Sequence, residues 1–502
     1  MLNRVYRAYT GGKLLDEWQG ISPASDGHMS EEFMVSTVEV KIDSAKKDEG
    51  LSKVRLPDGS VITLAKLISS DYEGYLGKDY AAQKDICVSA RVGDTNVRHV
   101  IQCHPTRPFA RKYLNYPNGK AEAWYIIATR SENAYLYAGF KPGVTREIWG
   151  QLIRDQDIES MLDCMHQIPV ETGKVYFVDA GMPHCLGPGI LFAEIHESCD
   201  YTFRAERHYL DCKVFSNNEM HYGLGTEGLI DAFVYKTYTY EEILDRCVLD
   251  LELILETEEA TASTVVSYKR SKRFKVEKYS LRGPVTLPDF SGHRLALTIK
   301  GETVFSCDDY PLNAEQGRAV FIPAGVRDMH LSPQSEQSEI LLCYPYDGSV
   351  FPEEIFRNPI QVGVLVRDLD EYLQKLQYVF SIGPFRIAQY PPADEIPFRE
   401  YHGKEGNFTA KFCFFHLGNI ELELIQPISG ENIWDDFIDR HGQGLHHLKF
   451  LVEDADSVEK YLNRNGYYIY QQGAAVGPNK GRVWQFYPTY EDIGFDVEIM
   501  ND

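Results

Sequence analysis

Four side chains able to hold a divalent cation stand out in the sequence. Gln102 and His104 lie two apart in HVIQCHP, Glu122 follows Lys120 at the same spacing in GKAEAWYII, and His184 sits in VDAGMPHCLGPGILFAEI. Residues two apart in an extended strand point to one face, so Gln102 projects with His104, and Lys120 with Glu122. An amide, a carboxylate and two imidazoles suit Zn²⁺, with a position left open for water or substrate. The spacing alone is permissive, because surface and core histidines produce similar sets by chance.

The elements that must position these groups can be read in outline. Residues 1–243 are mostly strands, with a helical insert at about 143–170. Thr145 is placed to N-cap a helix through Ile148 and Leu152, and Asp157 to cap one carrying Ile158, Met161, Leu162 and Met165. Residues 244–350 hold short β runs (FKVEKYSL, HRLALTIKGETVF, GRAVFIPAGV, EILLCYP) separated by turns, as in a β-sandwich or jelly roll. His293 and His330 stand alone there and read as structural or surface residues. Residues 351–358, within YDGSVFPEEIFRNP, read as a linker. From 359 to 502 a theme repeats. IQVGVLVRDLDEYLQKLQ and LHHLKFLVEDADSVEKYLNRNG each give strand, acidic turn and amphipathic helix. Each then runs into strands, KFCFFHLGNIELELIQP in one half and RVWQFYP with FDVEIM in the other, which makes a duplicated βαβββ unit.

Composition bounds the partners. A chain of 502 residues holds about three domains. No run of 18 apolar residues spans a membrane, and MLNRVYRAYTGGKLLDEW lacks the apolar core of a signal peptide. Ten scattered cysteines without a CxxC pair predict reduced thiols and a cytoplasmic location. A net charge of −23 argues against nucleic acid or an anionic membrane as partner. It leaves room for a phosphorylated small molecule, because a local basic pocket can override the global field.

The blocks RVYRAYTGGKLLDEW, IQCHP, GKAEAWYII, GVTREIWGQLI, GKVYFVDAGMPHCLGPGILFAEIHESCDYTFR and GRAVFIPAGV, in this order, resemble type I mannose-6-phosphate isomerase from about Arg4 to Pro345. The resemblance implies a zinc-dependent enzyme of two cupin domains, 1–243 and 244–350, in a mainly β fold with α insertions. It implies zinc on Gln102, His104, Glu122 and His184, with Glu194, Arg204 and Lys120 as catalytic residues. Aldose–ketose isomerisation moves a proton between C1 and C2 through a cis-enediol, so it needs a base and a positive group facing the enediolate. Zinc supplies the second need as a Lewis acid. Arg204 keeps its charge and would hold an anion, and Glu194 would act as base or acid. The alternative for Glu194 is a structural ion pair with Arg204. The sequence also departs from the family. The usual lysine–leucine–leucine–aspartate run reads Arg91, Val92, Gly93, Asp94. A serine near the phosphate site is Val100, and a tyrosine–aspartate–tyrosine ending is replaced by Ala205, Glu206, Arg207 and His208. Arg91, Arg98 or Arg111 would then have to hold the phosphate. Mannose 6-phosphate is the default substrate, and a different sugar or sugar phosphate is the alternative.

The duplicated segment from Pro359 to Met500 resembles methylmalonyl-CoA epimerase of the vicinal-oxygen-chelate superfamily, above all in HLGNIELELIQP and HGQGLHHLKFLVEDADSVEKYL. This implies an α+β domain of paired βαβββ units at 359–502, with a divalent metal (Zn, Co, Mn, Ni or Mg) on Gln361, Glu423, His447 and Glu498. Strand alternation agrees, since it sets Gln361 opposite Ile360 and Val362, and His447 opposite His446. The epimerase has histidine where Gln361 stands, and glutamine there is typical of lactoylglutathione lyase. Its extra catalytic glutamate falls nearest Lys411, where no acid is present.

The expected protein is a bifunctional metalloenzyme: a sugar or sugar-phosphate isomerase, joined to a second metal-dependent proton-transfer activity of isomerase or epimerase type. A homodimer is expected through the C-terminal domain. The competing readings are a sugar-binding or sensor cupin with a non-catalytic C-terminal module, and an iron-dependent cupin oxygenase.

Overall fold

The computed structural model describes residues 2–501 apart from 57, 211–212, 308–309, 347–358, 384, 394, 396 and 453–454. The expected linker at 351–358 lies outside the described residues. The chain divides into two units, Met1–Asp347 and Gly348–Asp502. Among the described residues no helix is long and apolar enough to cross a membrane.

The first unit is mainly β. A seven-stranded sheet runs Arg4–Val5, Glu31–Val35, Val88–Asp94, Ile190–Glu197, Glu122–Thr129, Val175–Val178, Val248–Leu249. A five-stranded sheet runs Phe203–Arg204, Gln102–Cys103, His184–Leu186, Tyr135–Phe140, Met165–Pro169. One core joins them: Trp124, Ile126 and Phe192 from the first sheet pack with Leu136, Ala138 and Ile168 from the second. Burial on both faces explains the nearly continuous apolar runs in GKAEAWYII and GILFAEI, which show no alternation. A six-stranded and a four-stranded sheet form a second sandwich in the same way, with Tyr279, Ala296 and Leu342 packed against Phe305 and Leu331. His293 is buried there on the carbonyls of Leu76 and Ile86, whereas His330 is exposed beside Thr286.

The helical insert departs in detail from its expectation. Thr145 accepts the Ile148 N–H and caps Arg146–Asp155. That helix buries Trp149 and Ile153 and leaves Ile148 47% exposed, so its packed face is turned by one residue. Asp157 caps Ile158–Asp163, but the helix stops there. Met165 enters the strand Met165–Pro169 instead, where ladder bonds to Tyr135–Phe140 satisfy its backbone.

The second unit is one ten-stranded sheet made of two halves. In the first half Ile387–Tyr390, Thr409–Leu417, Ile420–Ser429 and Pro359–Leu365 lie side by side. Gly444–Val452, Asp496–Asn501, Val483–Tyr487 and Gln471–Ala474 follow in the second, ending on the hairpin 399–405. The halves meet where Pro359–Leu365 pairs antiparallel with Gly444–Val452. A helix absent from the sequence reading, Ile433–His441, joins them, and Asn432 caps it by accepting the Trp434 and Asp435 N–H groups.

Candidate metal centres

In the first unit the two facing sheets each contribute half of a site. Gln102 pairs directly with His184 on one side and Arg204 on the other, which puts three polar side chains in a row across the five-stranded sheet. On the seven-stranded sheet Glu194 lies between Arg91 and Trp124, and Glu122 is two residues from Trp124. Gly93 makes room in this sheet: a Cβ there would lie 2.5 Å from the Phe192 ring.

Ligand atoms of His104, Glu122 and His184 lie within 4.8 Å of one another, all buried. The Glu122 carboxylate reaches His104 Nε2 at 3.2 Å and His184 Nε2 at 3.1 Å. Each imidazole has its other nitrogen 2.9 Å from a carbonyl, that of Tyr201 for His104 and that of Met182 for His184. A carbonyl only accepts, so each Nδ1 carries the proton and each Nε2 offers a lone pair, as metal ligation requires. The Gln102 amide is 3.2 Å from His184 Nε2, and a half-turn of that amide presents its oxygen to the same space. Both Glu122 oxygens are buried without a well-aligned hydrogen-bond donor. A divalent cation would satisfy them, so the donor set fits zinc.

A chain of charge leads away from this set. Lys120 Nζ is 2.7 Å from Glu122, 3.0 Å from His104 Nε2 and 2.9 Å from Glu194. Arg91 continues from Glu194 at 2.8 Å to Glu31 and Asp200, both at 3.3 Å. Arg7 closes on the same two acids, and the Tyr9 hydroxyl donates to Glu31 at 2.6 Å. The alternative of a Glu194–Arg204 ion pair is therefore not formed. Arg204 Nη1 donates to the carbonyls of Thr202 and Glu219, and its guanidinium lies over the Phe215 ring. Burial, helped by the nearby Glu122 charge, lifts the Glu194 carboxyl to about 7 despite Arg91 and Lys120. Burial would also raise Glu122, but Lys120 and His104 outweigh it and hold that carboxyl well below its ordinary range. Burial first, then Lys120, depress His104 to about 3, which keeps it neutral.

Of the arginines expected to replace the phosphate donors, Arg91 is enclosed by acids and Arg98 forks onto Glu206 at 2.6 and 2.9 Å. Arg7, Glu31 and Asp200 were not foreseen, because they come from separate strands and loops that only the tertiary fold joins. They line one narrow cleft with Gln102, Glu122, Glu194 and Arg204.

In the second unit Glu423, His447 and Glu498 form a buried set of the same kind, again with ligand atoms within 4.8 Å. His447 Nε2 is 3.1 Å from each of the two carboxylates. Gln361, expected as the fourth ligand, is close by but engaged: its oxygen accepts from Lys449 at 2.9 Å and its nitrogen donates to Glu421 at 2.6 Å. Lys449 also meets Glu498 at 2.9 Å. Alternation could have found both, since Lys449 is two residues past His447 and Glu421 two before Glu423. Alternation fails at His446. Gly363 pairs with His447 and Val364 with Leu445, so His446 is the extra residue of a β-bulge. Its Nδ1 meets His447 Nδ1 at 2.9 Å, while its Nε2 lies 3.2 Å from Asp496. With a proton held toward Asp496, His446 accepts from His447 and leaves His447 Nε2 for a cation. Glu498 Oε2 is buried without a well-aligned donor, so this set also fits a divalent metal. Without one, burial opposes the charge on His447, but its two carboxylates raise it to about 9. Lys411, nearest the missing epimerase acid, pairs instead with Asp370 at 3.4 Å. A cleft of about 1600 Å³, including solvent at its mouth, opens over the site between Tyr390, Phe412, Trp434 and Trp484.

The first unit is thus a cupin-like β-sandwich around a buried histidine–carboxylate set, and the second a duplicated sheet of glyoxalase type around another. Comparison with known proteins agrees. The probable mannose-6-phosphate isomerase GmuF of Bacillus subtilis (strain 168) is 23% identical over 231 residues, 46% of this chain and 67% of that protein. The crystal structure of the mannose 6-phosphate isomerase from Bacillus subtilis superposes with a TM-score of 0.53 at 19% identity, over 68% of this chain and 98% of its own. Residues 360–486 match the Glyoxalase/Bleomycin resistance protein/Dioxygenase superfamily. The uncharacterized protein YqjC of Bacillus subtilis (strain 168) is 45% identical over 87 residues, 17% of this chain and 61% of that protein. The N-terminal part is homologous to mannose-6-phosphate isomerases, and the C-terminal part carries the match to the glyoxalase superfamily.

Proposed function

We propose that this protein is a metal-dependent aldose–ketose isomerase of the sugar or sugar-phosphate class, with a second metal centre for proton transfer in its C-terminal unit. The observation that carries the first reading is the placement of Glu194. It is one lysine away from the carboxylate of the His104–Glu122–His184 set, and its carboxyl is lifted to about 7. A base tuned near neutral pH beside a Lewis-acid site is what enediol chemistry needs. Zinc held by His104, Glu122, His184 and Gln102 would polarise the sugar oxygens. Glu194 would take the proton from C2 of the aldose and return it to C1, while the C2 hydroxyl hydrogen passes to the oxygen on C1. Carbon 1 is reduced and carbon 2 oxidised, with no outside reductant. Lys120 and Arg204 would hold the negative charge that develops on the enediolate.

The test is proton NMR of the zinc-loaded chain in D₂O with aldoses and ketoses, phosphorylated and free. Deuterium entering at C1 or C2, or interconversion, supports the reading. Absence of exchange with every sugar in spite of bound metal sinks it, and favours a sugar-binding or sensor role. Glu194→Gln should abolish exchange while metal stays bound.

For the second unit, Glu423, His447 and Glu498 would hold a divalent metal, and Glu423 or Glu498 would move a proton beside a carbonyl. The buried trio and the aromatic cleft over it support catalysis or ligand binding there. Loss of any turnover on His447→Ala, with sugar exchange unchanged, would separate the two activities. We also propose two cupin domains, 1–243 and 244–350, ahead of the C-terminal domain.

A further inference from the structure

We infer that the sugar taken by the first unit carries no phosphate. The inference rests on the isomerase reading and narrows its substrate to neutral aldoses and ketoses. A phosphate monoester brings about −1.5 to −2 charges and is held where cations or N–H groups can meet it. In and around this cleft the cations are already matched. Lys120 lies between Glu122 and Glu194, at 2.7 and 2.9 Å. Arg91 touches Glu194, Glu31 and Asp200, and Arg7 touches Glu31 and Asp200 again. Each of these cations faces at least two carboxylates, and all of the groups are buried.

The charges therefore alternate along the cleft, from the metal set to its far end. Among the described residues lining the cleft, Arg204 is the cation with no carboxylate partner. Its strand pairs with Gln102, which places it at the metal end, where C1 and C2 of a sugar would sit on the isomerase reading. A phosphate on C6 would reach the other end, against Glu31 and Asp200. Val100 on the wall adds no donor, and Arg98 is spent on Glu206. Hydroxyl groups suit such a lining well. Each one donates and accepts, so a neutral sugar can satisfy carboxylates and guanidinium groups in turn, where a dianion meets repulsion from half of them.

The experiment uses the full zinc-loaded chain in D₂O. Mannose, glucose and fructose are compared with their 6-phosphates at matched concentrations, and exchange at C1 and C2 is followed by proton NMR. The expected result is a kcat/KM for one neutral sugar at least about tenfold above that of its 6-phosphate. An equal or higher value for a 6-phosphate overturns the inference and leaves the isomerase reading standing. Exchange with neither group overturns both. As a second arm, Glu31→Gln and Asp200→Asn each remove one acid that faces both Arg91 and Arg7, and should shift the preference toward the 6-phosphate by about tenfold or more. A folded variant with an unchanged preference would remove these acids from any role in selection.

Discussion

Glu194 and Glu31 lie on the same ladder of charge and yet titrate in opposite directions. For Glu194 burial wins, and its carboxyl rises to about 7. The base form then grows as pH rises through that value, so kcat/KM should climb to a plateau just above neutrality. A pH profile that is flat from 5 to 8 would remove Glu194 as the base. For Glu31 burial loses to Arg7 and Arg91, which hold it at about 2 against an ordinary 4.5. A depressed carboxyl stabilises the fold above its unfolded value, and that stability is lost as pH falls from 4.5 through about 2. The difference is worth roughly 3 kcal/mol. Denaturant melts of Glu31→Gln should show a flatter acid limb than the wild type.

Some of these residues were legible in the sequence. Gln102, His104, Glu122 and His184 stand in short strands whose parity can be read, and the sheets bring them to one point. Arg7, Glu31 and Asp200 carry no local signal, because their meeting depends on strand order in a sheet assembled from distant segments.

At the level of elements, two positions were decided by backbone geometry that residue type alone conceals. Gly363 faces His447 across the central strand pair, and a Cβ there would lie 1.8 Å from the imidazole. Gly363→Ala must displace that ring. The expected outcome is loss of one bound metal per chain by elemental analysis, with sugar exchange in the first unit unaffected. The bulge at His446 is the second such position. Simple alternation assigned His446 to the opposite face, whereas the extra residue lets its ring support that of His447. The helix caps were readable, since Thr145 and Asp157 both act as expected. Thr145→Ala should cost about 1 kcal/mol in stability and leave exchange rates alone, which a denaturant melt and the NMR assay would check together. The end of the second of these helices was not readable. Met165 has helical spacing in the sequence, but pairing with Tyr135–Phe140 takes it into a sheet.

For the whole molecule, duplication of the C-terminal unit was visible in its repeated strand–turn–helix pattern, and the connecting helix Ile433–His441 was not. Each unit has its own buried ligand set, so the chain should take up about two divalent ions, as both sets have enough donors to retain one. Mass spectrometry under native conditions would count them. His447→Ala should lower the count by one and leave the first set filled. Binding that occurs only in the folded state also raises stability, so chelation should lower the melting temperature.

The C-terminal set straddles the junction of the two halves. Glu423 belongs to the first repeat, and His447 and Glu498 to the second, while Gly363 and His447 face each other across the join. Neither half could assemble a cage alone. An ion seated there would act as a clasp, tying the two halves along their central ladder. Hydrogen exchange should then slow most on metal addition at Pro359–Leu365 and Gly444–Val452, with the outer strands little changed. Uniform slowing across the sheet would mean that the ion steadies the unit as a whole and fastens no particular joint.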